Sequence, residues 1–370
     1  MTKKIRYAVV AGGQISQQAF MPGISRTDNS ELAALVTGDP AKASKLAGLY
    51  GIKAWRYDEY DALLASGEID AVYVATPNFL HTDYVVRALD AGIHALCEKP
   101  MAASLEDGRR IIEAEARSNA YLMIAYRLHN EPATVEMFTR ARRGDFGKLM
   151  SFTSTFTQQV AEANSRGHNG YWAGPVPDMG TYPLNALRNL FGEEPVSVYA
   201  IGTRDPDRGF NFDDTVAVTL GFSGNRVAQF TCSYATEKSE SFTLVGTKAS
   251  IHATPCFMFG PEVGISYTET RADGVTEHAF DPVDQFGNET QYFSNCILTK
   301  QRPEADGREG YLDLRVLDAV ERSLASGQVI RLEPAKPAQA VSSDQAYRLA
   351  PADEPAPDEL ISVIPQQPMS

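Results

Sequence analysis

The chain reads as two folded domains in series. An α/β domain with a parallel, doubly wound sheet comes first, and a β-rich α+β domain with mostly antiparallel strands follows. Three observations predict this. The chain has 370 residues, enough for two domains of ordinary size. Its first third alternates short apolar runs with helix-like stretches, the pattern of βαβ units. After about Leu128 the texture changes to runs rich in Thr, Val, Phe and Tyr, with Ser223-Gly224-Asn225 as a turn candidate.

In order, the first strand is Ile5–Val10, a continuous apolar run just before glycines. Glu31–Thr37, Ala71–Ala75, His94–Cys97 and Tyr121–Ala125 follow as strands. Ala41–Tyr50 reads as a helix because Pro40 suits a first helical turn. His81–Ala91 puts Tyr84, Val85, Ala88 and Leu89 on one face and stops at Gly92. Ser104 and Asp107 resemble a capping box opening a helix over Leu105–Asn119. In the second domain, Met150–Gln158, Val196–Thr203, Thr215–Phe222, Arg226–Ala235 and Ser241–Gly246 read as strands. Helices are expected at about Pro132–Arg143, Tyr182–Phe191 and Gly310–Ser326. The expected division is 1–127, 128–331 and a Pro/Ala-rich tail, 332–370. Composition alone makes that tail flexible, the alternative being a tail laid along the body or a neighbouring subunit.

Composition narrows the function. The net charge of −13 repels nucleic acid overall, and the densest basic cluster, Arg140, Arg142 and Arg143, is broken at once by Asp145. No run of about 18 apolar residues spans a membrane. The N-terminus lacks the pattern of a secretory signal. Cys97, Cys232, Cys256 and Cys296 lie far apart without a C-x-x-C pair, which argues against zinc and against a disulfide framework and fits a cytoplasmic location. The histidines His94, His168, His252 and His278 show no ligand spacing, so no metal is expected.

The chemistry starts after the first strand. Ala11-Gly12-Gly13-Gln14-Ile15-Ser16 stands where a Rossmann phosphate loop would hold a pyrophosphate on backbone N–H groups and a helix N-terminus. The pattern is imperfect, with Ala11 for the first glycine and Ser16 for the third, and a glycine pair after a strand is often only a turn. At the end of the second strand, an acid would bind the ribose 2′-OH of NAD and repel the 2′-phosphate of NADP. Thr37, Gly38 and Lys42 there favour NADP over NAD, through a hydroxyl and a lysine that suit a phosphate. Asp39 works against this if it points inward; the plainer alternative is that Asp39 caps the next helix and Lys42 is solvated. Thr76, Pro77 and Asn78 follow another strand end and are expected at the nicotinamide ribose with His81, unless His81 only packs a helix N-terminus. Glu98-Lys99-Pro100 ends a further apolar strand, where ligands bind in this architecture. Lys99 there would serve acid–base chemistry, the alternative being an ordinary solvated lysine.

The run from Ala75 to Ala102, ATPNFLHTDYVVRALDAGIHALCEKPMA, resembles the glucose–fructose oxidoreductase/inositol dehydrogenase/MocA family over about residues 4–330. The resemblance implies a Rossmann domain followed by a large open, mostly antiparallel sheet that serves as a subunit interface, hence a homodimer or homotetramer. It implies that the lysine of the E-K-P triplet, Lys99, lies beside the nicotinamide. LVTGDPAKASKLAGLYGI has the family's form with Thr37 and Lys42 on its NADP phosphate positions. AYRLHNEP implies that Arg127 and His129 border the cofactor and substrate, although Arg127 also suits a salt bridge. PDMGTYPLNALRNLFGEEP, from Pro177 to Pro195, is most similar to the aldose oxidoreductases and dihydrodiol dehydrogenases. Many members carry D-x-x-x-H here; this chain has Asp178 and Tyr182, which disfavours a histidine base.

Asp178 and Tyr182 are four residues apart and share a face if Asp178 begins a helix. A phenol, with an ordinary pKa near 10, needs a nearby cation such as Lys99 to act as a base. The expected reaction is oxidation at C1 of an aldose to a lactone. Tyr182 takes the hydroxyl proton, Lys99 supports it or exchanges roles with it, and Asp178 orients the sugar. Trp172 is expected against a sugar face, with core packing as its commoner fate. Two other readings remain open: a trans-dihydrodiol, dicarbonyl or keto-sugar reductase using the same residues, and a non-catalytic NADP-sensing regulator.

Overall fold

The structure is a computed structural model that describes residues 3–162, 164 and 170–363. His168 and the end of the tail lie outside the described residues. The chain forms two compact units, and both are discontinuous. Over the described residues, the first comprises 3–131, 283–311 and 347–363; the second is built from 132–282 and 312–346. These units depart from the contiguous segments 1–127, 128–331 and 332–370 expected from the sequence.

The first unit holds a six-stranded parallel sheet. Its strands are β1 (Ile5–Val10), β2 (Ser30–Val36), β3 (Lys53–Trp55), β4 (Ala71–Val74), β5 (His94–Glu98) and β6 (Leu122–Ala125), in the order β3-β2-β1-β4-β5-β6. β1 and β4 are adjacent, so the chain direction across the sheet reverses there, and ligands bind at the carboxyl ends beside such a point. Every β4 residue is buried, as expected for a parallel strand covered on both faces. Helix Pro40–Tyr50 begins with its proline at the first turn and ends on Gly51 at φ 64°. Helix Leu105–Arg117 starts where Ser104 accepts a hydrogen bond from the Asp107 amide at 3.0 Å.

The helix Gln285–Thr299 explains the discontinuous first unit. Its sequence opens on DQFGNETQ, a polar run without an apolar stripe that would mark a helix. In the structure Asp284 caps it through the Gly287 amide, and its Ser294 hydroxyl meets Tyr7 at 2.8 Å and Ser30 at 2.7 Å inside the unit. Its polar face is satisfied by groups from the start of the chain rather than by water.

One carboxyl in this unit makes a pH test. Glu115 is buried on helix Leu105–Arg117, and burial, helped by the charge of Asp306, pushes it up from 4.5 to about 7. Below pH 4.5 both folded and unfolded chains carry the proton. Between pH 4.5 and 7 the unfolded chain releases it first, so stability falls as pH rises, by about 3 kcal/mol in all. Glu115→Gln removes that loss. The melting temperature of the variant minus that of the wild type should be flat below pH 4.5 and grow up to pH 7; a constant difference would rule the effect out.

The second unit is built on a nine-stranded sheet. Its strands are β7 (Leu149–Gln159), β8 (Ser197–Thr203), β9 (Thr215–Gly221), β10 (Val227–Ser233), β11 (Ala235–Gly246), β12 (Ser250–Ala253), β13 (Ser266–Arg271), β14 (Gly274–Ala279) and β15 (Ile330–Arg331). The order is β14-β13-β12-β11-β7-β10-β9-β8-β15, antiparallel throughout except for the pair β7 and β10. Strands β12 to β15 were not read from the sequence. One face carries Phe152, Ser154 and Phe156 of β7 toward helix Thr181–Phe191. The other presents Ser151, Thr153 and Thr155, with Tyr199 and Ile201 of β8, Val227 of β10 and Val245 of β11 exposed. Among the described residues all four cysteines are free and buried, and no helix is long and apolar enough to cross a membrane.

Candidate dinucleotide site and acid–base pair

The loop after β1 takes the shape that a phosphate site requires. Ala11, standing for the first motif glycine, adopts φ 75°, a left-handed conformation that costs an alanine about 1 kcal/mol and a glycine nothing. The Ser16 hydroxyl donates to the Ala11 carbonyl at 2.7 Å, so a serine in place of the third glycine is accommodated without an orphaned group. A Cβ on Gly12 would come within 3.1 Å of Leu46, whereas one on Gly13 would meet nothing within 4 Å. The backbone at Gly13 therefore lies open, with Gln14 and Ile15 starting the helical turn beyond it.

The end of β2 settles the position of Asp39. Its carboxylate accepts from the amides of Ala41 at 2.8 Å and Lys42 at 3.1 Å, capping helix Pro40–Tyr50. The Lys42 amide most of all, then the neighbouring Ser362 hydroxyl and the Ala41 amide, hold Asp39 below the usual carboxylate range. The acid is thus committed to its own helix. Thr37 is buried, and its hydroxyl accepts from the Asp39 amide at 3.2 Å, which leaves its proton to donate. Gly38 lies against the ring of Tyr57, 3.3 Å from where a Cβ would stand. Burial pushes the Lys42 ammonium below its ordinary value, against the attraction of Asp39, and an anion beside it would relieve that cost.

At the ends of β4 and β5, Thr76 keeps a buried hydroxyl without a hydrogen-bond partner. An orphaned buried hydroxyl and the open backbone at Gly13 fit a bound dinucleotide. Gly12, Gly13, Gln14 and Ile15 would hold its pyrophosphate, Thr37 and Lys42 a ribose phosphate, and Thr76, Pro77 and Asn78 the far ribose. His81 does not join them. It is buried, with Nε2 at 2.8 Å from the Thr76 carbonyl oxygen and Nδ1 at 3.0 Å from that of Pro100, and burial pushes it down to about 4. It ties the Thr76 turn to the Lys99–Pro100 turn.

Glu98 is held by the Tyr73 hydroxyl at 2.6 Å and by the Lys99 amide at 3.3 Å. Burial pushes it up, while Lys99, Tyr73 and Arg127 pull the other way. Arg127, expected at the cofactor and substrate, is instead 3 % exposed; it bonds Gln285 and acts on Glu98 and Glu289. Glu289 is fully buried, and neither of its carboxyl oxygens has a hydrogen-bond partner. Burial, with the charge of Glu98 beside it, pushes its carboxyl well above the usual range. His129, expected at the substrate, is 2 % exposed and pairs with Glu304 at 2.9 Å. Tyr73, Gln285, Glu289 and Glu304 escaped the sequence reading, since their partners come from remote segments.

The second unit carries the acid–base candidates. Asp178 lies in a π-turn, Val176–Gly180, that runs into helix Thr181–Phe191. Such wide turns recur at functional sites. Gly180 lets it sit against β10: a Cβ there would come within 3.1 Å of Phe230 and 3.3 Å of the Cys232 sulfur. Tyr234, fully buried, donates its hydroxyl to Asp178 at 2.8 Å. The half-buried ring of Tyr182 stands edge-on to Phe156, with centroids 5.5 Å apart, and tilts over Phe257 at 6.1 Å. Trp172 donates its indole N–H to Glu321 at 3.0 Å, which commits its polar edge to helix Gly307–Ser326. Among the described residues no group of three or more His, Cys, Asp or Glu is placed to hold a metal.

A doubly wound parallel sheet with a phosphate loop, joined in one chain to an α+β unit with a large mixed sheet, defines a dinucleotide-binding oxidoreductase. Residues 5–126 match the model of an oxidoreductase family with an NAD-binding Rossmann fold, and residues 135–252 match that of the GFO/IDH/MocA C-terminal domain. The chain is 30% identical over 339 residues to a D-xylose 1-dehydrogenase [NADP(+)] of Haloarcula marismortui, covering 89% of this chain and 93% of the relative. It is 29% identical to D-xylose 1-dehydrogenase (NADP(+)) 2 of Haloferax volcanii, covering 88% and 99%. The crystal structure of aldose-aldose oxidoreductase from Caulobacter crescentus, complexed with glycerol, superposes with a TM-score of 0.83 at 30% identity, covering 89% of this chain and all of that one. The protein belongs to the GFO/IDH/MocA family of oxidoreductases.

Proposed function

We propose that this protein oxidises an aldose at C1 to the lactone, with NADP as hydride acceptor. The observation that carries the reading is the 30% identity to an NADP-dependent xylose dehydrogenase across nearly the whole of both chains. The capping pose of Asp39 supports NADP over NAD, because it leaves Thr37 and Lys42 to a 2′-phosphate. When bound, NADP takes up the hydride from C1. Tyr182 accepts the proton of the anomeric hydroxyl as the C1–O bond becomes a carbonyl. Lys99 supports that transfer electrostatically or exchanges roles with Tyr182. Asp178, fixed by Tyr234, orients the sugar hydroxyls, and Trp172 offers its ring face to the pyranose. The same set run in reverse reduces a carbonyl. The unpaired cysteines support a reducing, cytoplasmic setting.

The test is absorbance at about 340 nm, where reduced nicotinamide absorbs, over a panel of aldoses with and without added NADP. A rise supports aldose oxidation, and a small stoichiometric rise without added NADP reveals a retained cofactor. No rise with any aldose, but consumption of NADPH with dicarbonyls or keto-sugars, would replace oxidation by reduction.

The exposed face of the nine-stranded sheet is the proposed subunit interface. Tyr199, Ile201, Val227 and Val245 stand on it, Ile201 at 60 % exposure. Such apolar groups on one flat face suit an isologous contact. Light scattering at micromolar concentration should give a dimer or tetramer, and Ile201→Glu should shift it toward the monomer. A monomeric wild type would refute the interface.

A further inference from the structure

Residues 347–363 are fastened along the first unit by a chain of hydrogen bonds. Asn288 donates to the Tyr347 carbonyl at 2.9 Å, and Leu349 donates its amide to Asn288 at 3.1 Å. Asp284 accepts the Ala352 amide at 2.9 Å, and Gln18 donates to Glu354 at 3.2 Å. The last of these bonds reach Gln17, 3 % exposed, in the helical turn that follows the phosphate loop. Its Oε1 accepts the Ile361 amide at 2.8 Å, and its Nε2 donates to the Ile361 carbonyl at 2.9 Å. The second proton of the same Nε2 goes to the carbonyl of Gly12, at 2.9 Å. One side-chain amide thus joins the phosphate loop to a residue 344 positions further along the chain.

We propose that Gln17, clamped by Ile361, is a positioning residue of the phosphate loop: it holds the Gly12–Gly13 peptide so that the Gly13 N–H faces the pyrophosphate. A trans peptide is planar, with its C=O and N–H pointing in opposite directions. Gln17 draws the Gly12 carbonyl to its own buried side, so the Gly13 N–H is turned the other way. The preceding peptide is held alike, because the Ser16 hydroxyl takes the Ala11 carbonyl at 2.7 Å and so turns the Gly12 N–H away from the helix. Two successive N–H groups turned from the helix side chains are an arrangement that receives an anion. A Cβ on Gly13 would meet nothing within 4 Å, so a ligand can approach that backbone closely. Ile361 decides which end of the Gln17 amide meets the loop. A glutamine amide can flip, and flipped it would set its oxygen against the Gly12 carbonyl oxygen. Paired bonds to the N–H and C=O of one residue fix a single orientation, with Nε2 toward Gly12. Gln17 acts through Gly12 and Gly13 and touches no reacting atom. The segment that fixes it lies beyond both stretches matched by the family models, 5–126 and 135–252. The inference rests on the dinucleotide reading.

The test measures dissociation constants by titration calorimetry for NADPH and for adenosine 2′-phosphate, which has no pyrophosphate. It compares the intact chain with full-length Gln17→Leu, Ile361→Pro and the double variant. Proline at 361 removes the N–H donor, and Leu360 before it is already extended, at φ −67° and ψ 130°, as suits a residue preceding proline. Gln17→Leu should raise the NADPH constant about tenfold, the effect of leaving the Gly12 carbonyl without its donor. Ile361→Pro should raise it about threefold, since the bond to Gly12 can still form. The double variant should bind NADPH no worse than Gln17→Leu alone, because Ile361 acts only through Gln17. Adenosine 2′-phosphate should bind all four proteins alike. A purely structural role gives the opposite pattern: both ligands weaken together and the two losses multiply. Either of those results overturns the proposal, as does an unchanged NADPH constant in Gln17→Leu or in Ile361→Pro. If the intact chain binds neither ligand, the dinucleotide reading itself fails, and this inference with it.

Discussion

Lys99→Met should lower kcat for sugar oxidation by about 10²–10⁴-fold while leaving NADPH affinity little changed, and Tyr182→Phe should do the same. The magnitude is that of removing a positioned proton-transfer group. Methionine fills the space of the lysine stem without its charge. Phenylalanine keeps the ring that stands edge-on to Phe156 and over Phe257, so the helix beginning at Thr181 is not disturbed. If the two side chains act as one unit, the double variant should lose little more than the worse single one, because removing either already disables the step. Single-turnover kinetics with saturating NADP would separate the chemical step from binding. Loss of NADPH binding in both variants would show that they support the fold or the cofactor rather than the reaction.

Arg188→Leu should destabilise the second unit by about 3–5 kcal/mol. Arg188 is buried on helix Thr181–Phe191, and its guanidinium forks onto Glu194 at 2.7 and 2.9 Å while a third nitrogen bonds Asp313. Asn185 also donates to Asp313, at 3.3 Å. Removing the arginine leaves Glu194 and Asp313 buried without their cation, and that desolvation cost is what the variant exposes. Replacing all three charges by apolar residues of similar volume should cost much less, since no buried charge is then left alone. The chain has two tryptophans, so Trp172 fluorescence in a Trp55→Phe background reports unfolding of the second unit alone. Equal losses in the single and triple variants would mean that packing, and not charge, is what Arg188 supplies.

Much of the first sheet was legible. Ile5–Val10 appears at the expected bounds, and β2, β4, β5 and β6 within a residue or so, because parallel buried strands are continuous apolar runs. Helix Pro132–Arg143 was read at its observed ends, and residues 347–363 of the tail lie along the first unit, where hydrogen bonds to Gln17 and Asn288 rather than composition hold them. The short strands β12 to β14 stayed hidden, since four to six mixed polar residues carry too little alternation to stand out. Helix Gln285–Thr299 was invisible for the opposite reason: its buried face is polar, with Gln285, Asn288, Glu289 and Ser294 inside.

The same division runs through the site. The phosphate loop, the Thr37–Lys42 segment, the Glu98-Lys99-Pro100 triplet and the spacing of Asp178 and Tyr182 are local patterns, so the amino-acid order alone determined the class of chemistry and its candidate residues. Which way each side chain turns was decided only by tertiary structure. Asp39 caps a helix; His81 ties two turns; Arg127 and His129 are withdrawn into the first unit by Gln285 and Glu304, partners 158 and 175 residues away. A charge buries only where an opposite or hydrogen-bonding group meets it, and the groups that meet these come from segments the chain reaches only once it has folded.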